Sequence, residues 1–135
     1  MKRRRFIKTV SSVAMGVMGA RVPLFAKGSP NETVRVAVMG LNGRGSVLAK
    51  TFAKTANAEV AALCDVDSAV LAKAASSIGV SKTITDFRRA LDDKSIDALV
   101  IATPDHWHAP AAILAMSAGK HVYLEKPCGH NAREG

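Results

Sequence analysis

Val34-Arg35-Val36-Ala37-Val38-Met39-Gly40-Leu41-Asn42-Gly43-Arg44-Gly45 decides the fold of this 135-residue chain. The first six residues, mostly apolar and rich in valine, read as a strand. A glycine-rich turn follows at once, and Leu48 and Phe52 then recur at helical spacing. A strand, a glycine turn and a helix in that order match the setting of the fingerprint G-x-G-x-x-G. That fingerprint needs glycine at a tight turn, where the backbone approaches a pyrophosphate, and where the helix packs on the strand. Gly40 and Gly45 take the first and third places. Asn42 takes the middle one, with Gly43 one residue late. Asparagine tolerates positive φ better than most residues, so Asn42 is expected to keep the loop in shape. Gly43 and Arg44 would bring a free amide and a cation near the phosphates.

Working outward, strand and helix patterns keep alternating. Glu59 to Cys64 reads as a second strand ending at Asp65, and Val70, Leu71, Ala74 and Ile78 repeat at helical spacing behind Asp67 as N-cap. Lys82 to Ile84 is a short third strand, and Asp86 caps a short helix through Leu91. Asp97 to Ala102 is a continuous apolar run of the kind buried on both faces. Pro110 and Gly119 bracket a helix over Ala111 to Ala118, and His121 to Leu124 forms a fifth strand. Crossover helices between strands imply a parallel sheet, and the glycine turn selects the doubly wound α/β dinucleotide-binding (Rossmann) version. Its strand order here is 3-2-1-4-5, without a sixth strand. Asp65 stands about 20 residues beyond the loop, where a carboxylate accepts hydrogen bonds from ribose hydroxyls and repels a 2′-phosphate. This favours NAD over NADP, with Arg44 still within reach of a 2′-phosphate. That strand order places Cys64 and Cys128 three strands apart, roughly 14 Å at about 4.8 Å per strand, too far for a disulfide.

Composition excludes other classes. With 48% hydrophobic and 22% charged residues the chain is neither collagen-like, disordered nor a disulfide scaffold. The net charge of +8 does not mark a nucleic-acid surface, because Lys2, Arg3, Arg4, Arg5, Lys8, Arg21 and Lys27 all precede the first acid, Glu32. The other 12 basic residues nearly balance the 11 acidic ones. A basic start, an apolar stretch from Thr9 to Ala20 and a short segment to Lys27 form the three-part layout of an export signal. The apolar stretch is too short to span a bilayer. Arg3-Arg4-Arg5-Phe6-Ile7-Lys8 resembles a twin-arginine signal, with Lys2 where Ser or Thr is usual. Residues 1–27 are therefore read as a leader for the twin-arginine (Tat) machinery, 28–33 as a linker and 34–135 as the dinucleotide-binding domain. The expected location is periplasmic or otherwise extracytoplasmic.

Two later motifs carry a resemblance. Thr103-Pro104-Asp105-His106-Trp107-His108 follows the fourth strand, and Gly119-Lys120-His121-Val122-Tyr123-Leu124-Glu125-Lys126-Pro127 contains the fifth and its exit. Together with the glycine loop they resemble the Gfo/Idh/MocA oxidoreductases over roughly Val34 to Gly135. Asn42-Gly43 is the main departure from the family pattern. The resemblance implies NAD(P)-dependent oxidation or reduction at a hydroxyl or carbonyl carbon of a sugar, cyclitol or related small molecule. It implies that Lys126 holds the substrate oxygen and helps move its proton. It also implies that Pro127 shapes the turn aiming Lys126, through a cis peptide bond, and that Glu125 anchors the loop or contacts the cofactor. Thr103 and Pro104 would line the nicotinamide side of the crevice, and His108 would shape the pocket. His106 and His108 have no accompanying ligand cluster, so no metal is expected.

Family members continue into a second, largely antiparallel α+β domain that supplies substrate contacts and the homo-oligomer surface. The resemblance therefore implies a truncated chain, without turnover by itself. Two other readings stay open: a redox-assisted glycosidase or lyase on the same scaffold, which returns its NAD unchanged, and a non-catalytic dinucleotide-binding module.

Overall fold

The computed structural model of the chain describes residues 33–134. The expected export leader and nearly all of the expected linker lie outside the described residues. The elements are β1 (Val34–Met39), α1 (Arg44–Phe52), β2 (Ala58–Cys64), α2 (Ser68–Ile78), β3 (Thr83–Ile84), α3 (Arg88–Asp92), β4 (Ala98–Ile101), a 3-10 turn (Asp105–Trp107), α4 (His108–Ser117) and β5 (His121–Leu124). All neighbouring strands pair in parallel, in the order β3-β2-β1-β4-β5. This is the doubly wound order expected from the sequence.

Alternation along the strands splits the core into two layers. Val36 and Val38 of β1 and Ala98 and Val100 of β4 pack with Leu48 and Ala49 of α1 and Leu71 and Ala74 of α2. Ala37, Leu99 and Ile101 face the other way, against Ala90 of α3 and Ala111, Ala112 and Ala115 of α4. Period two across a pleated strand requires this division. Every residue of β4 is buried, as a strand covered on both faces must be. The β1–β2 register shifts after Val36, so that Val36 pairs with Val60 but Ala37 with Ala62. Ala61 is thus the extra residue of a bulge, and Val60 and Leu63 share a face despite their odd spacing.

Asp67 caps α2 as expected, its carboxylate accepting from the amides of Ala69 at 2.8 Å and Val70 at 3.2 Å. Asp86 takes the amide of Arg88 at 3.1 Å, and α3 begins only after Phe87. α4 departs further from the sequence reading. It starts at His108, two residues ahead of Pro110, and follows a 3-10 turn closed by the bond from Trp107 N–H to Pro104 O. Proline is tolerated there because its missing N–H falls in the first helical turn, where it would be unpaired anyway. Both cysteines are free, Cys64 buried in β2 and Cys128 exposed. No helix among the described residues is long and apolar enough to cross a membrane.

Candidate active site

The glycine loop lies at the carboxyl end of β1, beside the carboxyl end of β4, where the strand order reverses. Gly40, at φ +83°, fits so closely that a Cβ there would stand 2.8 Å from the backbone of Ala102 and Thr103. At Gly45 a Cβ would stand 1.7 Å from the carbonyl oxygen of Gly40, so α1 packs on the turn only because that side chain is absent. The middle position corrects the sequence expectation. Among the described residues only Asn57 has positive φ without being glycine, so Asn42 does not use its tolerance. Gly43 makes the reversal instead, at φ +100° and ψ −113°, a conformation that essentially only glycine reaches. The late glycine is therefore the one the loop needs, and the space beside its Cα is open.

Asp65 closes the loop from the next strand. Its Oδ2 accepts the Leu41 N–H at 2.7 Å and its Oδ1 accepts the Asp67 N–H at 3.0 Å. A carboxylate offers about four lone-pair sites, so roughly two remain for a diol. Ser46, which the sequence reading passed over, donates its hydroxyl to the Leu41 carbonyl and ties α1 to the loop. The backbone amides of Asn42, Gly43, Arg44 and Gly45 donate to no acceptor among the described residues. Four free amides at the start of a nine-residue helix form an anion cradle.

Two clefts run along the carboxyl edge of the sheet. The larger, of about 930 Å³, lies by Asp65 and is bordered by Met39, Asn42, Phe87, Pro104 and Trp107. Val66, next to Asp65, is 89% exposed along its wall. The smaller, of about 460 Å³, is lined by Arg44, Ala102, Thr103, His108, Glu125 and Lys126. Ala102 and Thr103 border both clefts, and the Thr103 hydroxyl is buried there without a hydrogen-bond partner. A cradle of free amides between two clefts, with a carboxylate in one and an amine in the other, fits a dinucleotide. Asp65 and the loop amides would hold its adenosine and pyrophosphate, and Thr103 and the Lys126 loop would border its nicotinamide.

Arg44 is placed otherwise than expected. Its Nε donates to Glu125 Oε1 at 2.9 Å, and that bond holds the guanidinium above its ordinary pKa. Glu125 is only 16% exposed and needs a charge partner, so Arg44 points to the β5 side. Asp65 lies across β1 and β4 from it, and Arg44 is not directed at a ribose 2′ position there. Glu125 is thereby an anchor of its loop. Lys126 is exposed, lines the smaller cleft and forms no ion pair among the described residues; the Lys126–Pro127 peptide bond is cis. His106 and His108 are not brought together: His106 is exposed beside Asp105, and His108 is buried between two loops. Among the described residues no three His, Cys, Asp or Glu side chains are grouped to hold a metal ion. Cys64 is buried, and desolvation, helped by the nearby Asp65 charge, pushes its thiol up to about 12.

The glycine loop, the carboxylate ending β2 and the switch-point clefts define a dinucleotide-binding domain. The chain belongs to the Gfo/Idh/MocA oxidoreductases, the family described as "Oxidoreductase family, NAD-binding Rossmann fold", which matches residues 34–135. Among curated relatives, a "Glycosyl hydrolase family 109 protein" of Stenotrophomonas maltophilia is 36% identical over 140 residues, covering 96% of this chain and 30% of its own length. An "Alpha-N-acetylgalactosaminidase" of Shewanella oneidensis is 31% identical over 159 residues, covering 98% of this chain and 35% of its own. Among solved structures, scyllo-inositol dehydrogenase from Lactobacillus casei with bound NAD(H) and scyllo-inositol superposes with a TM-score of 0.72 at 32% identity. It covers 76% of this chain and 31% of that one. The chain thus spans about a third of the length of the relatives it matches.

Proposed function

We propose that this chain forms the nucleotide-binding half of an enzyme that transfers a hydride between NAD and a hydroxyl-bearing carbon of a sugar or cyclitol. The arrangement that carries this reading is the pair of clefts meeting at Thr103, one bordered by Asp65 and the other by Lys126. When bound, NAD supplies the hydride acceptor. Lys126, as its neutral amine, hydrogen-bonds the substrate hydroxyl and accepts its proton as the carbon is oxidised; in the reverse direction its ammonium returns that proton to the carbonyl oxygen. Asp65 and the amides of Asn42 to Gly45 fix the other half of the cofactor, and the Asp65 carboxylate disfavours a 2′-phosphate. Of the other side chains in the smaller cleft, Arg44 and Glu125 are paired and His108 is engaged by backbone carbonyls. Lys126 is therefore the one titratable side chain free there among the described residues; the other unpartnered polar group, the Thr103 hydroxyl, is buried. The 135-residue chain alone is expected to bind NAD without turnover.

A second reading has support from the names of the curated relatives, which are glycosidases. On the same site, transient oxidation of a sugar hydroxyl would acidify the neighbouring C–H and allow loss of the aglycone. Addition of water and return of the hydride would leave NAD unchanged. One assay separates the two readings: the natural protein is incubated with NAD and either free polyols or aryl N-acetylhexosaminides. Accumulating NADH supports the dehydrogenase, and aglycone release without net NADH supports the glycosidase. With Lys126→Ala either activity should fall by about 10²- to 10⁴-fold, while NAD still binds. Full activity in that variant would remove Lys126 from the chemistry.

The same reading includes export by the twin-arginine route. The stretch from Arg3 to Lys8 supports it. The alignment over 98% of the chain also carries the likeness to one relative into the first 27 residues. Arg3→Lys with Arg4→Lys should leave the precursor in the cytoplasm; unimpaired export would reject the route.

A further inference from the structure

His108 is the one polar side chain that is fully buried among the described residues, 2% exposed at the first position of α4. Its Nε2 lies 2.9 Å from the carbonyl oxygen of Thr103, and its Nδ1 lies 2.5 Å from that of Pro127. Carbonyl oxygens only accept. Whichever ring nitrogen carries the hydrogen therefore has an acceptor waiting, and the doubly protonated ring donates to both. The two carbonyls belong to different loops. Thr103 leaves β4, and Pro127 follows Lys126 out of β5. From the other side Arg44 holds the side chain of Glu125, the residue before Lys126. The segment Glu125-Lys126-Pro127 is thus gripped at both ends, by α1 at Glu125 and by α4 at Pro127, and only its middle side chain is left free in the cleft. Both ring nitrogens of His108 face a carbonyl oxygen, and at 2% exposure a bond lost there leaves a buried polar group unpaired.

We propose that His108 is a positioning residue that acts through Lys126, clamping the Lys126 loop to the end of β4 so that the amine meets the reacting oxygen in one geometry. The proposal rests on the reading of Lys126 as the proton-handling group. A small displacement of such a group costs about a hundredfold in rate.

The test uses the natural protein with His108→Phe, which keeps a ring and removes both nitrogens, and His108→Gln, which restores a donor. Four quantities are compared with wild type: NAD affinity by calorimetry, amide hydrogen exchange over Glu125 to Cys128, the rate at which acetic anhydride labels the Lys126 amine, and kcat with KM. The proposal expects His108→Phe to hold NAD within about twofold, to exchange faster over the loop and to label at an altered rate at Lys126. Its kcat should fall by about a hundredfold with KM for NAD unchanged, and His108→Gln should recover part of the loss. Unchanged exchange and kcat would overturn it. So would a loss of NAD affinity as large as the loss of kcat, which would make His108 a cofactor ligand. If His108→Phe does not fold, the same readouts on His108→Gln decide. If wild type transfers no hydride, the proposed function fails, and the exchange and labelling measurements still decide the clamp.

Discussion

The backbone N–H of Leu41 donates to Oδ2 of Asp65 at 2.7 Å, joining the turn after β1 to the residue that follows β2 across 24 positions of sequence. The acid at the end of β2 is thus part of the glycine loop's own scaffold before any ribose reaches it. Asp65→Asn removes the charge from that bond and from the ribose contacts. Hydrogen bonds to charged groups contribute roughly 1.5–3 kcal/mol, so NAD affinity should drop by about tenfold or more. NADP should lose less, because the repulsion of its 2′-phosphate goes too. Calorimetric titration with both cofactors gives the ratio; an unchanged NAD to NADP preference would show that Asp65 does not discriminate between them.

Two glycines of the loop are needed for different reasons, and alanine separates them. Gly43→Ala meets no atom within 4 Å but must hold φ +100°, a strain of order 1–3 kcal/mol. Gly45→Ala meets the Gly40 carbonyl at 1.7 Å, which no local relaxation absorbs. Thermal melts should show Gly43→Ala folded with a lowered midpoint, and Gly45→Ala far less stable or unfolded. Equal effects would mean that the loop is not held as described.

The two thiols should differ in reactivity. Burial, with Asp65 beside it, pushes the Cys64 thiol up to about 12, whereas Cys128 is exposed. At neutral pH a thiol-disulfide reagent should titrate one group quickly, with mass spectrometry placing the label on Cys128 and Cys64 reacting only on unfolding. Rapid labelling of Cys64 would contradict the packing of β2.

His130 and Asp105 form a tie between the loop after Lys126 and the 3-10 turn, Nδ1 to Oδ2 at 3.1 Å. The bond to Asp105, and then its charge, raises the His130 pKa above the usual value, and the same bond lowers that of Asp105. The His130 contribution is present below about pH 6.5 and is lost as pH rises through the raised folded value. The Asp105 contribution is present above about pH 3.9 and is lost as pH falls through the lowered one. The tie is therefore strongest between those limits. An NMR titration should find the His130 midpoint above 6.5 in the native protein, with Asp105→Asn bringing it down; an equal midpoint in both would show the pair open in solution.

Local pattern made most of the fold legible. The valine run of β1, the unbroken apolar run of β4 and the Asp67 cap are each written within a few residues, and all three stand where they were expected. The position of the reversal in the glycine loop was less legible. Asn42 is a positive-φ residue by type, but φ +100° with ψ −113° at the next position strains any side chain and moves the reversal to Gly43. The early start of α4 was hidden because Pro110 normally marks a first turn, and here it does so from the third helical position. The partners of Arg44 and His108 could not be read at all. Glu125 is 81 residues from Arg44, and Pro127 reaches His108 only because β5 packs beside β4. Contacts made by strand order leave no local trace in the chain.

That separation also sets a timetable for assembly. The glycine loop comes off the ribosome among the first described residues, but β1 gains its second neighbour only when β4 is made, and Arg44 gains its acid only after β5. The smaller cleft, which needs Glu125 and Lys126, therefore cannot exist before β5 has been made and docked. Like β3 at the other edge, β5 pairs on one side alone among the described residues, so it is open to fraying. A ligand seated against Lys126 would add its binding free energy to the docking of that edge, so occupancy of the cleft and integrity of the last strand rise and fall together.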